Sequence, residues 1–299
     1  MTSPELSAQT ARGRMYRMEP GGKLIHPSIT TVAGMRAKDH LNGWYARMAS
    51  KRALEMFSYL DRNPSRAFDE IRRVNRNSWT TQKRIAEAAP DYTKTTADFG
   101  TYVHALCEAW ERSGERPTDA DMRDLATEMR SGGDLLSMET NLGELVRRAN
   151  VRLDGFAGFL DDFQPEFTEI EQTVVNRTVG YAGTTDAIVK IGNTLLTGDI
   201  KTSKKVRGDY ALQAVAVMNA ENLLDNDGTL RDMPELTGAF IIHLPESGGY
   251  SAVPLRTSQA EWETFKALRK AWDFAPDDCA LSEAQSPKEL LLTLLNAKL

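Results

Sequence analysis

The sequence predicts an α/β fold: a helical front, a β-β-β-α-β core, and helices behind it. Three observations predict it. Apolar residues recur at helical spacing through most of residues 39–165. From Phe167 to Thr202 the chain turns to short runs rich in Val, Ile and Thr, punctuated by Gly and Asn. Helical periodicity then alternates with one further strand-like run, "LTGAFIIHL". No repeat, low-complexity tract or linker interrupts the 299 residues. One continuous unit is therefore expected over 26–299, mainly helical over 26–165, α/β over 166–245, and helical again over 246–299. Residues 1–25 carry few apolar anchors and are expected to be flexible.

Leu41, Trp44, Tyr45, Met48 and Met56 place a helix over Asp39–Leu60, and the pattern continues over Ser65–Asn75 and Thr80–Ala88. In "DFGTYVHALCEAWE", Val103, Leu106, Cys107 and Trp110 share one face of a helix running from about Ala97 to Arg112. "PTDADMRDLATEMR" opens with Pro, Thr and first-turn acids, which is helix-start chemistry. "LGELVRRANVRLDGFAGFLDDF" is a long amphipathic helix that stops near Pro165. "FTEIEQTVVN", "GTTDAIVKI" and "TLLTGDIKT" are the strands. "DYALQAVAVMNAENLL" follows as a helix with Asp209 as its N-cap, and "TSQAEWETFKALRKAWDF" begins on a Thr/Ser cap. "SPKELLLTLLNAKL" is a terminal helix apolar enough to pack on the body or on a second subunit.

Composition narrows the function classes. Hydrophobic residues at 41% and charged residues at 26% are ordinary for a soluble globular chain. No apolar run reaches membrane-spanning length and no signal-peptide pattern is visible, so a soluble, cytoplasmic protein without a membrane partner is expected. Cys107 and Cys279 lie far apart and read as buried thiols, not as a disulfide framework or zinc knuckle. Net charge is −5, yet residues 1–100 hold seventeen Lys and Arg against ten Asp and Glu, and the rest twenty against thirty-two. A basic front on an acidic body suits an anionic polymer as partner, and equally suits a solvated, Arg-rich helical surface.

The stretch "TTDAIVKIGNTLLTGDIKTSK" sets Asp186, Asp199 and Lys201 among aliphatic residues. Burying charge is costly unless it is paired or metal-bound. With Gly192-Asn193 as a two-residue hairpin loop, Asp186 stands directly opposite Asp199, and period-two alternation puts Lys201 on the same face. Like charges so placed call for a compensating cation. The alternative is an outward hairpin face of mixed charge, and Gly198 is a site where a bulge would move the register.

These residues resemble the PD-(D/E)XK nuclease superfamily, and within it the RecB-like and phage-type exonucleases. "FGTYVHALCE" resembles the helical Gly-x-x-x-His motif through Gly100 and His104, "GTTDAI" the Gly-x-x-Asp strand, "GDIKTS" the Asp-x-Lys-Thr strand, and "YALQAVAV" the Gln-containing helix. "HPSITTVAGMRAKDHLNGWYARMAS" resembles the front end of phage-type members, a Ser-x-Thr strand followed by a Leu/Trp helix. Val217 stands where many members have Tyr, and two distant cysteines leave no iron–sulfur cluster to expect.

The resemblance implies a restriction-endonuclease-like core, a mixed central β-sheet flanked by helices, with a helical N-terminal portion. It implies a Mg²⁺- or Mn²⁺-dependent deoxyribonuclease, more an exonuclease than an endonuclease, acting on linear DNA. A single-strand annealing protein or further copies of the chain are the expected partners besides DNA. For a phage-encoded chain the location would be the host cytoplasm. Catalytic roles fall to Lys201, Asp186 and Asp199, and metal ligation to His104, Asp186, Asp199 and the Ile200 carbonyl. Gln213, Lys204, Lys205, Arg207 and Tyr210 are the expected substrate contacts. Glu108 either orients His104 or is solvated, and Glu169 or Glu171 lines the cleft. His26, His40 and His243 have no assigned role. The rival readings are a catalytically idle DNA-binding or assembly module that retains the fold, and an interaction protein with an incidental charged hairpin.

Overall fold

The computed structural model describes residues 6–36, 40–131 and 141–274. Three short strands come first, β1 (Ser7–Thr10), β2 (Gly13–Tyr16) and β3 (His26–Pro27), then the short helix α1 (Ile29–Ala33). Helices follow: α2 (His40–Arg62), α3 (Pro64–Arg76), α4 (Ser78–Ala86), α5 (Ala88–Ser113), α6 (Asp119–Ser131) and α7 (Leu142–Phe163). The chain then runs through β4 (Glu166–Asn176), β5 (Tyr181–Ile191), β6 (Thr194–Lys201) and α8 (Tyr210–Met218). It continues with β7 (Asn222–Leu224), β8 (Leu230–Asp232), β9 (Gly238–His243), β10 (Ser251–Pro254) and α9 (Gln259–Asp273).

Seven strands form one mixed sheet in the order β10-β9-β6-β5-β4-β7-β8, while β1, β2 and β3 form a small sheet of their own. β6 and β9 pair in parallel. A parallel pair needs a long crossover, and the segment carrying α8 supplies it. On one face Leu153, Phe156 and Phe159 of α7 pack with Leu106 of α5 against Val189, Ile200 and Ile242. On the other, Ile29, Val215 and Phe265 from α1, α8 and α9 pack against Val174 and Ile188. Ile188 and Val189 thus face opposite layers, which is why this strand reads as a continuous apolar run. Phe156 has no exposed surface, and burying such a side chain contributes roughly 1.5–3 kcal/mol.

The α/β class and the helical N-terminal region agree with the sequence reading; several details differ. Residues 7–16, expected within a flexible N-terminus, form the β1–β2 hairpin. Leu6 and Tyr16 anchor it by packing with Val175, Ala182 and Leu224, and the Tyr16 hydroxyl shares a 3.0 Å hydrogen bond with the Thr184 hydroxyl. Ser28-Ile29-Thr30 is not a strand: the Ser28 hydroxyl accepts from the Thr31 N–H and caps α1. The helix expected through Leu224 ends at Met218, and Asn222–Leu224 joins the sheet beside β4. Asp209 stands at the start of α8 without a side-chain cap bond, its carboxylate paired instead with Arg36. The 246–299 stretch contributes β10 as well as α9. Cys107 is buried and free; Cys279 and the terminal Leu-rich segment lie outside the described residues.

Candidate metal centre

The β5–β6 hairpin has the register read from the sequence. Ile191 pairs with Thr194 across Gly192-Asn193, and the ladder runs to Ala187 opposite Gly198 without a shift. Gly192 takes φ +60°, a conformation suited to glycine in such a turn. Beyond Ala187 and Gly198 the sheet forks. β5 stays paired with β4 to Tyr181, while β6 stays paired with β9 to Lys201. Asp186 and Asp199 sit in this fork, and the Asp186 carboxylate accepts the Ile200 N–H at 2.9 Å where a strand partner is missing.

α5 delivers His104 into the fork. Gly100, one turn earlier, lets the helix approach β6 closely, because a Cβ there would lie 3.3 Å from Thr202 Oγ1. His104 Nδ1 lies 3.3 Å from Asp186 Oδ2, yet it is buried without a hydrogen-bond partner. The ring also lies within hydrogen-bonding reach of the Ile200 carbonyl. Burial pushes the imidazole pKa down against the pull of Asp186, so the ring is held neutral, the form that ligates metals.

The third strand supplies Glu171. A bulge in β4 shifts the register between Phe167 and Glu169, after which Ile170 pairs with Ala187 and Gln172 with Thr185. Glu171 therefore lies beside Asp186, at φ +51°, a strained value for a residue with a side chain. One ligand atom each from His104, Glu171 and Asp186 lies within 4.8 Å of the others. Burial, Asp186 and Glu108 all push the Glu171 carboxyl pKa up. An orphaned imidazole nitrogen beside two crowded carboxylates is a donor set that suits a divalent cation, and mixed N/O ligation favours Mn²⁺ somewhat over Mg²⁺.

Asp199 lines the same cavity as these ligands, with its carboxylate beside that of Asp186. It is absent from that ligand group, and its carboxylate forms an ion pair with Lys201. Burial pushes the Asp199 carboxyl up, with Lys201 opposing and Asp186 adding to the rise. Burial lowers Lys201, but Asp199 and Asp186 more than offset it and the net shift is upward. Lys201 is thus held as an ammonium, which donates charge and hydrogen bonds and does not accept a proton. The Ile200 N–H is engaged by Asp186, and its carbonyl faces His104.

These groups line a cavity of about 200 Å³ that also takes in Gln213 and Tyr210 from α8. Tyr210 shares a 3.2 Å hydrogen bond with Ser203, and its ring centroid lies 5.4 Å from Lys201 Nζ. A second, open cleft of about 860 Å³ meets the first at His104, Lys201 and Tyr210, and Arg207 lines it. Lys204 and Lys205 are exposed and line neither space. Glu108 pairs with Arg112 at 3.1 Å and does not orient His104. Glu169 turns away to Arg231, at 2.6 Å. His243 binds the Ser203 carbonyl at 2.7 Å and tethers the loop after β6.

Two groups escaped the sequence reading. Glu111, seven residues after His104 and so on the same helix face, has a buried, unpartnered Oε1. Burial first, then Asp186 and Glu171, push its carboxyl up to about 9. Trp44, Tyr45 and Tyr92 line the open cleft; the helical spacing in α2 marked an apolar face without saying that it would stay uncovered.

No protein-family model matches the chain, and no curated protein matches it. Among solved structures it is similar to one described as "Crystal structure of SSO0001", at 12% identity and a TM-score of 0.26, covering 66% of this chain and 82% of that one. A likeness at that level assigns neither a fold family nor an activity. Among the described residues no helix is long and apolar enough to cross a membrane.

Proposed function

We propose that the chain is a metal-dependent deoxyribonuclease with a restriction-endonuclease-like core of the PD-(D/E)XK type, an exonuclease serving phage-type recombination or DNA processing. The observation that carries this reading is the convergence of Glu171, Asp186, Asp199, Lys201 and His104 on one small cavity at a fork in the sheet. Their order on three adjacent strands and one helix supports it further.

His104, Glu171 and Asp186 would hold Mg²⁺ or Mn²⁺. A cation there supplies Lewis acidity toward a phosphoryl oxygen and lowers the pKa of bound water. Asp199 holds the Lys201 ammonium in place, and Lys201 steadies the negative charge that grows on the phosphate as water adds. The P–O bond to the leaving oxygen then breaks, and that oxygen takes up a proton. Gln213 and Tyr210, on the cavity wall, position the scissile nucleotide, and Arg207 holds a neighbouring phosphate.

The test is a time course on end-labelled linear DNA and on closed circular DNA with Mg²⁺ or Mn²⁺. Wild type degrades the linear substrate and spares the circle. Asp186→Ala and Lys201→Ala are expected to lose about 100-fold or more, the scale of a removed catalytic group. Equal degradation by wild type and both variants removes the proposal. Binding without cleavage in either metal points to an idle module instead.

A further inference from the structure

We infer that the open cleft beside the metal centre is a track for one unpaired DNA strand, with bases stacked on Trp44, Tyr45 and Tyr92 as the strand nears the reacting phosphate. The direction of travel rests on the nuclease reading; the stacking surface does not.

The track has two walls. Tyr92, Thr96, Gly100 and His104 recur every fourth residue on α5 and line the cleft. At 1.5 Å per residue they form one stripe about 18 Å long that ends at the candidate metal ligand. Stacked nucleotides of one strand rise about 3.4 Å each, so the stripe spans several of them. α2 forms the facing wall. The Trp44 ring centroid lies 5.2 Å from that of Tyr45 and 6.1 Å from that of Tyr92, both edge-on, so the three rings form one aromatic cluster that lines the cleft.

Tyr45 and Tyr92 are 46% and 44% exposed, so these rings are not filling the core. Arg47 of α2 and Arg207 of the loop between β6 and α8 add positive charge to the lining. An aromatic shelf with flanking guanidinium groups is the chemistry that binds single strands without sequence preference. A duplex hides its base faces in its own stack and offers phosphates and groove edges, so it can meet the guanidinium groups but not the aromatic shelf. The volume of about 860 Å³ falls in the range of sites for small organic ligands, which suits a few nucleotides of one strand.

The test uses the full chain in EDTA, so that no cleavage intervenes. Fluorescence anisotropy reports binding of a fluorescein-labelled oligo-dT and of a blunt hairpin duplex of equal length. Trp44→Ala and Tyr92→Ala are each expected to weaken oligo-dT binding about tenfold, the scale of one lost base stack. Binding to the duplex is expected to change less than about twofold, and Trp44→Phe, which keeps a ring, to restore most of the oligo-dT affinity. Thermal melts of each variant establish folding, and Trp44→Phe serves as the folded probe if Trp44→Ala unfolds. Unchanged oligo-dT affinity, equal weakening on both probes, or tighter binding of the duplex by wild type each overturns the inference. The two readings fail separately. Metal-dependent cleavage with no Trp44 effect removes the track and keeps the nuclease, whereas Trp44-dependent binding without cleavage in any metal does the reverse.

Discussion

Glu171→Gln keeps the size of the side chain and removes one of two acids crowded beside His104. Ligand atoms of His104, Glu171 and Asp186 lie within 4.8 Å of one another. Two ionised carboxylates at that separation repel by about 3.5 kcal/mol at an effective dielectric of about 20. Without a cation, the upward-shifted Glu171 relieves this by keeping its proton, so a neutral amide costs the metal-free protein little. In EDTA at pH 7 the variant is expected to melt with wild type or a few degrees above it, at about 2–4 °C per kcal/mol for a chain of this size. Mn²⁺ at one hundred times its Kd should stabilise wild type by about 2.7 kcal/mol, or about 5–10 °C. The variant, one anionic ligand short, should gain only a small part of this. Thermal melts over a Mn²⁺ titration make the measurement. An equal Mn²⁺ gain in both proteins refutes the role given to Glu171, and a variant several degrees less stable in EDTA refutes the claim of uncompensated charge.

Glu111 gives a pH prediction. Its carboxyl is raised from 4.5 to about 9, so the folded chain holds a proton that the unfolded chain releases. The associated stability is fully present below about pH 4.5 and falls as pH rises towards 9; Glu111→Gln should flatten that decline in melts from pH 5 to 9. Phe156→Ala empties a fully buried position between α7 and the sheet and should cost about 3–5 kcal/mol in urea unfolding. Ser258 N–H donates to Glu261 at 3.0 Å at the start of α9, with the Ser258 hydroxyl bonded to the same carboxylate at 2.5 Å. Ser258→Ala should cost about 1 kcal/mol in the same assay.

Long amphipathic segments were legible because their own periodicity encodes both the helix and the face it buries. α5 shows this: Val103, Leu106 and Cys107 are buried and Trp110 packs against the same cluster. Reading failed where a distant partner decides. After Met218 nothing in residues 219–224 forces the helix to stop, but the Asn176 side chain donates to the Asn219 carbonyl at 2.7 Å and β4 takes Asn222–Leu224 as a strand. The β1–β2 hairpin hangs on Leu6 and Tyr16, two anchors too widely spaced to leave a period. α2 is the converse case. Its spacing marks a face, yet spacing does not say whether a neighbour covers it, and Leu54 and Phe57 remain 66% and 70% exposed.

The site divides along the same line. Gly192-Asn193 with period-two alternation is local information, and it was enough to bring Asp186, Asp199 and Lys201 to one place. The choice between Glu169 and Glu171 is not local. Both have the parity to share a face, and the bulge at the start of β4 does not separate them, because it precedes both. What separates them is Arg231 on β8, a strand with no visible pattern, which draws Glu169 outward, and the positive φ that turns Glu171 out of regular strand geometry. A residue held at φ +51° with a crowded carboxylate is under strain that the fold must offset elsewhere. Such a site exchanges stability for the capacity to hold a cation, so Glu171→Gln should weaken metal binding while the metal-free protein, in which Glu171 already keeps its proton, melts with wild type or slightly above it. A variant that bound Mn²⁺ as tightly as wild type does would separate the strain at Glu171 from metal binding.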